Sequence, residues 1–273
     1  MLGRDLMDEI ARRAPGGVAM DLGECDITDP AACVRAVESV RPRAVVNCAA
    51  WTNVSGAEQH RDAAFAVNAD GAGNVARACG HALVRCVHVS TDFVFDGAKG
   101  APHGEDDAPN PLNVYGQSKL EGERRVAFSA PDHAIVRTAW LYGAHGPSFV
   151  RAILEARRRA EPVRVVDDQV GSPTWTRDLA RVLVDVALSS ERGVFHATNS
   201  GHCSRHEQAR LIFALTGCDP ERVVAVRTDP ASLPRRPADS RLACGRLAAA
   251  GIAPMPAWDD ALRRFLGSIG ELK

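Results

Sequence analysis

Leu83-Val-Arg-Cys-Val-His-Val-Ser90 is an apolar run rich in β-branched residues, and this composition predicts a buried β-strand. The runs Arg43–Cys48 and Ala134–Ala139 have the same character, and Val18–Asp21 is predicted to be a shorter strand. Strands that are apolar along their whole length bury both faces, which is typical of parallel sheets. The chain therefore indicates a parallel sheet that is covered on both sides.

Segments with helical periodicity alternate with these strands. Their bounds are Asp29–Val40, Arg61–Gly80 and Ser118–Phe128. The alternation predicts an α/β fold with a doubly wound, Rossmann-like parallel sheet. Ligands of such sheets bind beyond the carboxyl ends of the strands. Three residues at these ends are therefore expected to face one cleft: Asn47, Thr91 and Thr138.

The second half of the chain has a different texture. After residue 144, short strand-like segments mix with helices and turns, which predicts a smaller lobe interleaved with the first. The predicted dinucleotide-binding domain covers 1–144 plus about 178–198. The predicted substrate-binding lobe covers about 145–177 plus 199–273.

The composition excludes several classes of partner. The 273 residues carry a formal net charge of −1, so no basic excess indicates nucleic acid or an anionic membrane. No apolar run approaches the ~20 residues of a membrane span, and no signal peptide is recognisable. The eight cysteines form no Cys-x-x-Cys pair, which predicts a cytoplasmic protein. No metal site is expected, because His202 and His206 are a lone i, i+4 pair typical of a helix face.

The segment Tyr115-Gly-Gln-Ser-Lys119 carries the chemistry. Tyr115 and Lys119 share one face of a helix because 3.6 residues make a turn. An ammonium near the phenol favours the phenolate, so the pKa of Tyr115 is expected to lie below its usual value. Thr91, at the end of the preceding strand, could hold a carbonyl oxygen between its hydroxyl and the phenol. These groups could protonate a carbonyl while a hydride reaches its carbon.

Several longer motifs surround these residues. The chain resembles the dTDP-4-dehydrorhamnose reductases, within the extended short-chain dehydrogenase/reductases. The motifs that carry the resemblance are Asn47-Cys-Ala-Ala-Trp-Thr-Asn53, Val67-Asn-Ala-Asp-Gly-Ala-Gly-Asn74, Ser90-Thr-Asp-Phe-Val-Phe-Asp-Gly97, Pro111-Leu-Asn-Val-Tyr-Gly-Gln-Ser-Lys-Leu-Glu-Gly-Glu123, Arg137-Thr-Ala-Trp-Leu-Tyr-Gly143 and Val166-Asp-Asp-Gln-Val-Gly-Ser-Pro-Thr-Trp-Thr176. The resemblance implies NADPH or NADH as cofactor and a dTDP-sugar as the partner, and it leaves a homodimer open.

The resemblance also implies a role for each matching residue. Tyr115 would donate the proton, Lys119 would lower its pKa and hold the nicotinamide ribose, and Thr91 would bind the substrate carbonyl. Asn68 would support the catalytic helix. The residues implied at the cofactor are Gly3, Asp21, Asp26, Ile27, Cys48, Ala49, Ala50, Asn68, Tyr115 and Lys119. Those implied at the sugar are Asp92, Trp140, Ser148 and Gln169. Asp92 fits a helix cap or turn equally well, and Trp140 fits a core position.

Three departures from the family pattern alter these expectations. Ser55 stands where an acidic residue is usual and Ser148 where Asn is usual, so a sugar contact is expected to differ. Leu22 follows Asp21 where the family often has Arg, and Leu cannot offset the repulsion between Asp21 and a 2′-phosphate. NADH is therefore expected to work nearly as well as NADPH.

The start of the chain is the largest departure. A dinucleotide-binding unit opens with a strand and a glycine-rich loop, whereas here a helix at Arg4–Ala14 follows Gly3 directly. Gly3 matches the last glycine of that loop. The expectation is that the first strand and most of the loop are missing, so that the chain as numbered expresses poorly or binds no cofactor.

The leading functional hypothesis is reduction of the 4-keto group of dTDP-4-dehydro-L-rhamnose by NAD(P)H. Two alternatives stay open. One is a 4-ketoreductase for another dTDP-deoxysugar. The other is a non-catalytic regulatory or binding homologue with the same fold.

Overall fold

The computed structural model describes residues 1–13 and 15–273. The strands are β1 Ala44–Asn47, β2 Arg85–Thr91, β3 His133–Thr138, β4 Leu141–Tyr142, β5 Val163–Val166, β6 Val170–Gly171, β7 Thr174–Trp175, β8 Gly193–His196, β9 Cys203–Ser204 and β10 Val223–Val226. The helices are α1 Leu2–Arg13, α2 Pro30–Val40, α3 Val54–Gln59, α4 Arg61–Phe65, α5 Ala72–Ala82, α6 Val114–Ser129, α7 Phe149–Ala156, α8 Thr176–Leu188, α9 Arg205–Leu215, α10 Gly245–Ala249 and α11 Trp258–Ser268. A π-helical turn, Ala66–Gly71, joins α4 to α5.

A four-stranded parallel sheet in the order β1-β2-β3-β8 forms the centre of the molecule. Its register places Asn47 beside His88 and Thr91 beside Thr138. The carboxyl ends of β1, β2 and β3 therefore lie at the same edge of the sheet. This confirms the predicted α/β class and places the ends of these strands together.

Three of the four predicted strands are present, and the fourth is wrong. The Val18–Asp21 segment is exposed and pairs with no other strand among the described residues. The central sheet ends at β1, so no further strand of the sheet is paired with Val18–Asp21 in the part of the chain that the structure describes. An isolated four-residue strand gains no ladder hydrogen bonds and is not stable in water.

The helices follow the predicted pattern closely. The predicted Asp29–Val40 helix is α2, and the Asp29 carboxylate caps it by accepting from Ala31 N. The predicted Arg61–Gly80 helix is continuous through α4, the π-helical turn and α5. The helix expected at Arg4–Ala14 is α1, while Ala14 lies outside the described residues.

Hydrophobic cores lie on both faces of the sheet and in a separate cluster. On one face, α1 and α8 pack together over the sheet, with Leu6, Val87 and Leu183 buried. On the other face, α2 and α5 pack against Cys86 and Ile135. The separate cluster joins α7, α9 and α11 with the parallel pair β5–β10. In the described parts of the chain, no helix combines the length and apolarity that crossing a bilayer needs.

Candidate active site

The end of β2 delivers Thr91 and Asp92 to the carboxyl edge of the sheet. The Thr91 Oγ1 accepts from Phe93 N at 3.2 Å and so caps a 3₁₀ turn over Asp92–Val94. The same hydroxyl donates to Asp92 Oδ1 at 3.0 Å. Asp92 is only 2% exposed, and burial raises its pKa to about 6. Thr91 therefore provides the cap, and the Asp92 carboxylate supports the Thr91 hydroxyl.

Tyr115 lies in the first turn of α6, next to Thr91. The Asn113 side chain caps this helix by accepting from Gly116 N at 2.8 Å. The Tyr115 ring meets the Phe93 ring edge-on, with 5.7 Å between the ring centroids, and the phenol lies close enough to the Thr91 hydroxyl for that group to influence its pKa. Burial raises the pKa of Tyr115 to about 12, and the Thr91 hydroxyl opposes that rise. Tyr115 is thus held as a neutral phenol, which is the form that donates a proton.

Lys119 lies one turn further along α6 and is 2% exposed. Its Nζ donates to Val89 O at 2.7 Å and lies 3.2 Å from His88 Nε2. Burial lowers the pKa of Lys119 to about 8. The prediction that Lys119 lowers the pKa of Tyr115 is wrong in this structure. Desolvation dominates at Tyr115, and the ammonium is directed to the β2 backbone instead.

His88 was not predicted as a site residue. Its two ring nitrogens lie 3.2 Å from Lys119 Nζ and 3.3 Å from Asn47 Nδ2, so it bridges the catalytic helix to β1. Burial and the Lys119 charge hold its pKa well below the usual value, which keeps the ring neutral. The sequence of β2 gives no sign of this role, because a His at a buried strand position cannot be distinguished from any other core residue.

Asn68 links the chain after β1 to the catalytic helix. Its Nδ2 donates to Ser118 Oγ at 2.9 Å, and its Oδ1 accepts from Trp51 N at 2.8 Å. The approach is close, because a Cβ added at Gly122 would lie 2.1 Å from Asn68 O. These contacts support the expectation that Asn68 positions α6.

A buried hydrogen-bond network between α6 and the sheet was also not predicted from the sequence. The Glu123 carboxylate accepts from Arg137 Nε at 2.9 Å, from Arg137 Nη2 at 2.7 Å and from Ser90 Oγ at 2.6 Å. This bidentate pair joins α6 to β2 and β3. Leaving either charge without its partner in this setting is strongly destabilising, so the network fixes the helix against the sheet.

A cleft of about 1960 Å³ opens beside β1. It exceeds the roughly 300–1,000 Å³ of ordinary small-molecule sites, so it has room for a ligand as long as a dinucleotide. Seven of the predicted cofactor residues line this cleft: Gly3, Asp21, Asp26, Ile27, Cys48, Ala49 and Ala50. The small side chains of Ala49 and Ala50 leave its wall open. The residues present therefore fit an extended nicotinamide dinucleotide.

The acidic side chains that line the cleft differ in their hydrogen-bond partners. Asp26 accepts from the backbone and hydroxyl of Thr28, which lowers its pKa. Asp21 accepts from Leu22 N at 2.8 Å and is exposed. Gly3 is in the first turn of α1, and a Cβ added there would meet nothing within 4 Å. The close packing that would require glycine at this position is therefore not seen.

The predicted sugar-pocket residues lie on several elements. Trp140 adopts a left-handed backbone with φ of 48°, and its ring covers Gly171 so closely that an added Cβ would lie 2.4 Å away. Gln169 Nε2 donates to Thr228 Oγ1 at 3.1 Å. Ser148 caps α7 by accepting from Arg151 N at 3.3 Å, and it also lines the cleft. Ser148 thus has a structural role as a helix cap, and its predicted contact with the sugar stays a prediction.

Within residues 1–13 and 15–273, no group of three or more His, Cys, Asp and Glu side chains could hold a metal ion.

Comparison with known proteins adds independent information. The family model described as RmlD substrate binding domain matches residues 1–270. The dTDP-4-dehydrorhamnose reductase of Streptomyces griseus is 43% identical over 269 residues, covering 96% of this chain and 88% of that protein. The dTDP-4-keto-6-deoxy-D-glucose reductase of Streptomyces niveus is 42% identical over 264 residues, covering 96% and 92%.

A solved structure agrees with these relatives. The crystal structure of dTDP-4-dehydrorhamnose reductase from Bacillus anthracis str. Ames, in complex with NADP, matches with a TM-score of 0.94. It is 35% identical, and the match covers 98% of this chain and 95% of that one. The family model and the relatives span almost the whole chain, and with them the elements that carry Thr91, Tyr115 and Lys119. This chain belongs to the dTDP-4-dehydrorhamnose reductase family.

Proposed function

We propose that this protein reduces the 4-keto group of dTDP-4-dehydro-L-rhamnose to give dTDP-L-rhamnose, with NADPH or NADH as the hydride source. The observation that carries the proposal is the placement of Thr91, at the carboxyl end of β2, beside Tyr115 in the first turn of α6. The two hydroxyls can hold one carbonyl oxygen between two donors once the Thr91 proton, which is donated to Asp92 in this structure, turns to the substrate. The reductase names of the relatives support the same reaction.

The residues of this chain have distinct tasks in that reaction. A nicotinamide bound along the cleft would supply the hydride. The Thr91 hydroxyl and the Tyr115 phenol bind the substrate oxygen and stabilise the negative charge that develops on it. Tyr115, kept protonated by its raised pKa, then transfers its proton to that oxygen. The Lys119 ammonium donates to the β2 backbone in this structure, and its assigned role is to bind a ribose hydroxyl of the cofactor.

The cofactor-binding and sugar-binding roles of the remaining residues belong to this proposal. The cleft residues Asp21, Asp26 and Ile27 are assigned to the adenosine end of the cofactor. Cys48, Ala49 and Ala50 are assigned to the stretch of chain that passes close to the cofactor with little side-chain bulk. Asp92, Trp140 and Gln169 are assigned to the sugar. The two-lobe division given above, the cytoplasmic location and the homodimer that the resemblance leaves open stay predictions, and light scattering tests the homodimer.

The decisive experiment is turnover by Tyr115→Phe. Loss of the proton donor is expected to lower kcat by about 10²- to 10⁴-fold, with KM changed little, because the ring is retained and only the proton transfer is lost. The assay follows nicotinamide absorbance with enzymatically prepared dTDP-4-dehydro-L-rhamnose. Phe128→Tyr, at a fully exposed position on the same helix, serves as the control and should keep full activity. Unchanged kcat in Tyr115→Phe would remove this residue from the mechanism.

A second substrate is favoured by one observation. The Streptomyces niveus relative, at 42% identity, is named a reductase of dTDP-4-keto-6-deoxy-D-glucose. Ser55 and Ser148 depart from the usual pattern near the sugar. Comparing kcat/KM over a panel of dTDP-4-ketosugars distinguishes the two substrates.

The non-catalytic alternative makes the opposite prediction. It does not require Tyr115 to lie beside Thr91 or Lys119 to be buried on the same helix, whereas both are observed here. Absence of ketosugar reduction by the purified protein, together with retained folding, would favour that alternative.

A further inference from the structure

Arg205, the first residue of α9, occupies an unusual position beside the predicted sugar pocket. Its guanidinium carbon lies 3.4 Å from the centroid of the Trp140 ring and 4.8 Å from that of Phe149. The two rings hold the planar cation in place. Among the described residues, its side chain makes neither a hydrogen bond nor an ion pair, and only longer-range charge interactions act on it. Its five N–H donors are thus positioned but not used by the protein.

The charges around Arg205 point to an anion. Burial, joined by the charge of the exposed Arg236, lowers the pKa of Arg205 to about 9. The buried Asp92 carboxylate and, to a smaller extent, Cys203 oppose this lowering, and neither makes an ion pair with Arg205. Two cations brought together at a half-buried site are unfavourable unless a ligand neutralises them. A neutral sugar hydroxyl cannot do this.

We propose that Arg205, assisted by Arg236, binds the diphosphate group of the nucleoside-diphosphate sugar. The inference rests on the proposed function, since it names a contact of that substrate. Arg205 is close enough to Asp92, which supports the Thr91 hydroxyl, for the two charges to interact. The planar fork of a guanidinium matches phosphate oxygens in a bidentate geometry. The stack on Trp140 fixes the orientation of that fork before the ligand arrives.

The test measures dTDP binding by calorimetry, without turnover. Arg205→Gln is expected to weaken dTDP at least tenfold, and Arg205→Lys less so, because Lys keeps the charge but not the fork. Arg236→Gln is expected to weaken it by a smaller factor, since its side chain is exposed. Arg263→Gln, at an exposed position on α11, is the matched control and should bind dTDP within about twofold of the unmodified protein. A cooperative thermal unfolding transition reports whether each variant is folded.

Failure of this inference can be separated from failure of the proposed function. Equal dTDP affinity in Arg205→Gln and the unmodified protein, with cooperative unfolding retained, overturns the inference even if ketosugar is reduced. No dTDP binding by the unmodified protein overturns it as well. Arg205-dependent dTDP binding without ketosugar reduction supports the inference and contradicts only the function. In an active protein, the variant should raise KM for the dTDP-sugar and leave kcat largely unchanged.

Discussion

At the scale of single residues, burial of the Asp92 carboxylate lowers the stability of the folded protein but places this group beside the Thr91 hydroxyl. Its carboxylate is 2% exposed, and one oxygen has no hydrogen-bond partner in the described structure. Burial raises its pKa to about 6, which means that the charged carboxylate is less favourable in the folded protein than in water. A cost of this kind is typical of residues retained for a site rather than for folding.

The first prediction concerns Asp92→Asn. Between the ordinary pKa of 3.8 and about 6, the folded state binds more protons than the unfolded state, so stability falls as pH rises through this window. Asn keeps the acceptor for Thr91 and removes the charge. The variant should therefore be more stable than the unmodified protein by roughly 2 to 3 kcal/mol at pH 8 and no more stable at pH 3 to 4.

Urea unfolding at the two pH values measures this difference. Asp62→Asn, at an exposed helix position, provides the control and should change stability little at either pH. The same change in stability at both pH values would show that the Asp92 charge carries no cost.

The candidate catalytic residues follow from a local sequence pattern, whereas the residues that contact them do not. Tyr115, Lys119 and Thr91 were found because a Tyr and a Lys one turn apart, after a strand ending in Thr, form a local pattern. The positions of His88 and Arg205 depend on which distant residues face them, and no local spacing records that. The pKa of Tyr115 was predicted in the wrong direction because desolvation depends on the whole pocket.

At the scale of elements, the position of α6 depends on close contact with the preceding helical segment. Gly122 faces Asn68 of the π-helical turn, and a Cβ there would lie 2.1 Å from the Asn68 carbonyl oxygen. That atom is backbone, so it cannot move aside as a flexible side chain could. Glycine at this position therefore lets the two helical segments approach each other.

We predict that Gly122→Ala lowers the free energy of unfolding by about 1 to 3 kcal/mol, because overpacking forces the helices apart. It should also lower kcat, since α6 carries Tyr115. Gly267→Ala is the matched control, because it lies within α11 and its nearest neighbour would be 3.8 Å away. That change should instead stabilise the protein by up to about 1 kcal/mol through helix propensity. Equal effects of the two substitutions would refute the proposed contact.

Most elements followed from the sequence, and the exceptions have clear reasons. β1, β2 and β3 were found from apolar runs, which mark buried strands directly. Val18–Asp21 was predicted as a strand from composition alone, but strand formation needs a neighbour to pair with. The π-helical turn within the predicted Arg61–Gly80 helix was missed, because side-chain periodicity does not distinguish one wide turn from an α-helical one.

At the scale of the whole molecule, segments far apart in the chain form the walls of the cleft beside β1. Asp21 and Leu22 line one part of it, and Ala49 and Ala50 another. The sequence indicated these residues through their family motifs, while the size of the cleft is a property of the assembled fold. Ligand binding to such a cleft stabilises the folded protein as a unit.

We predict that NADH and NADPH at equal saturating concentration raise Tm by amounts that differ by less than about 5 °C. The reason is that Leu22 offers no charge to offset the repulsion between Asp21 and a 2′-phosphate. A hundredfold affinity difference would correspond to about 2.7 kcal/mol, and therefore to a larger separation in Tm. Leu22→Arg should shift the balance toward NADPH. A gap well above 5 °C in favour of NADPH would contradict the prediction.

The π-helical turn Ala66–Gly71 also restricts which single-residue deletions the protein can tolerate. One extra residue in this turn sets the angle between Asn68 and the buried face of α5. Removing a single codon here would restore an α-helix and rotate one side of the turn by about 100° relative to the other. Asn68 would then leave Ser118, and the link to α6 would be lost. A deletion in the exposed 229–233 loop has no such consequence, so homologues should vary in length there and keep this turn constant.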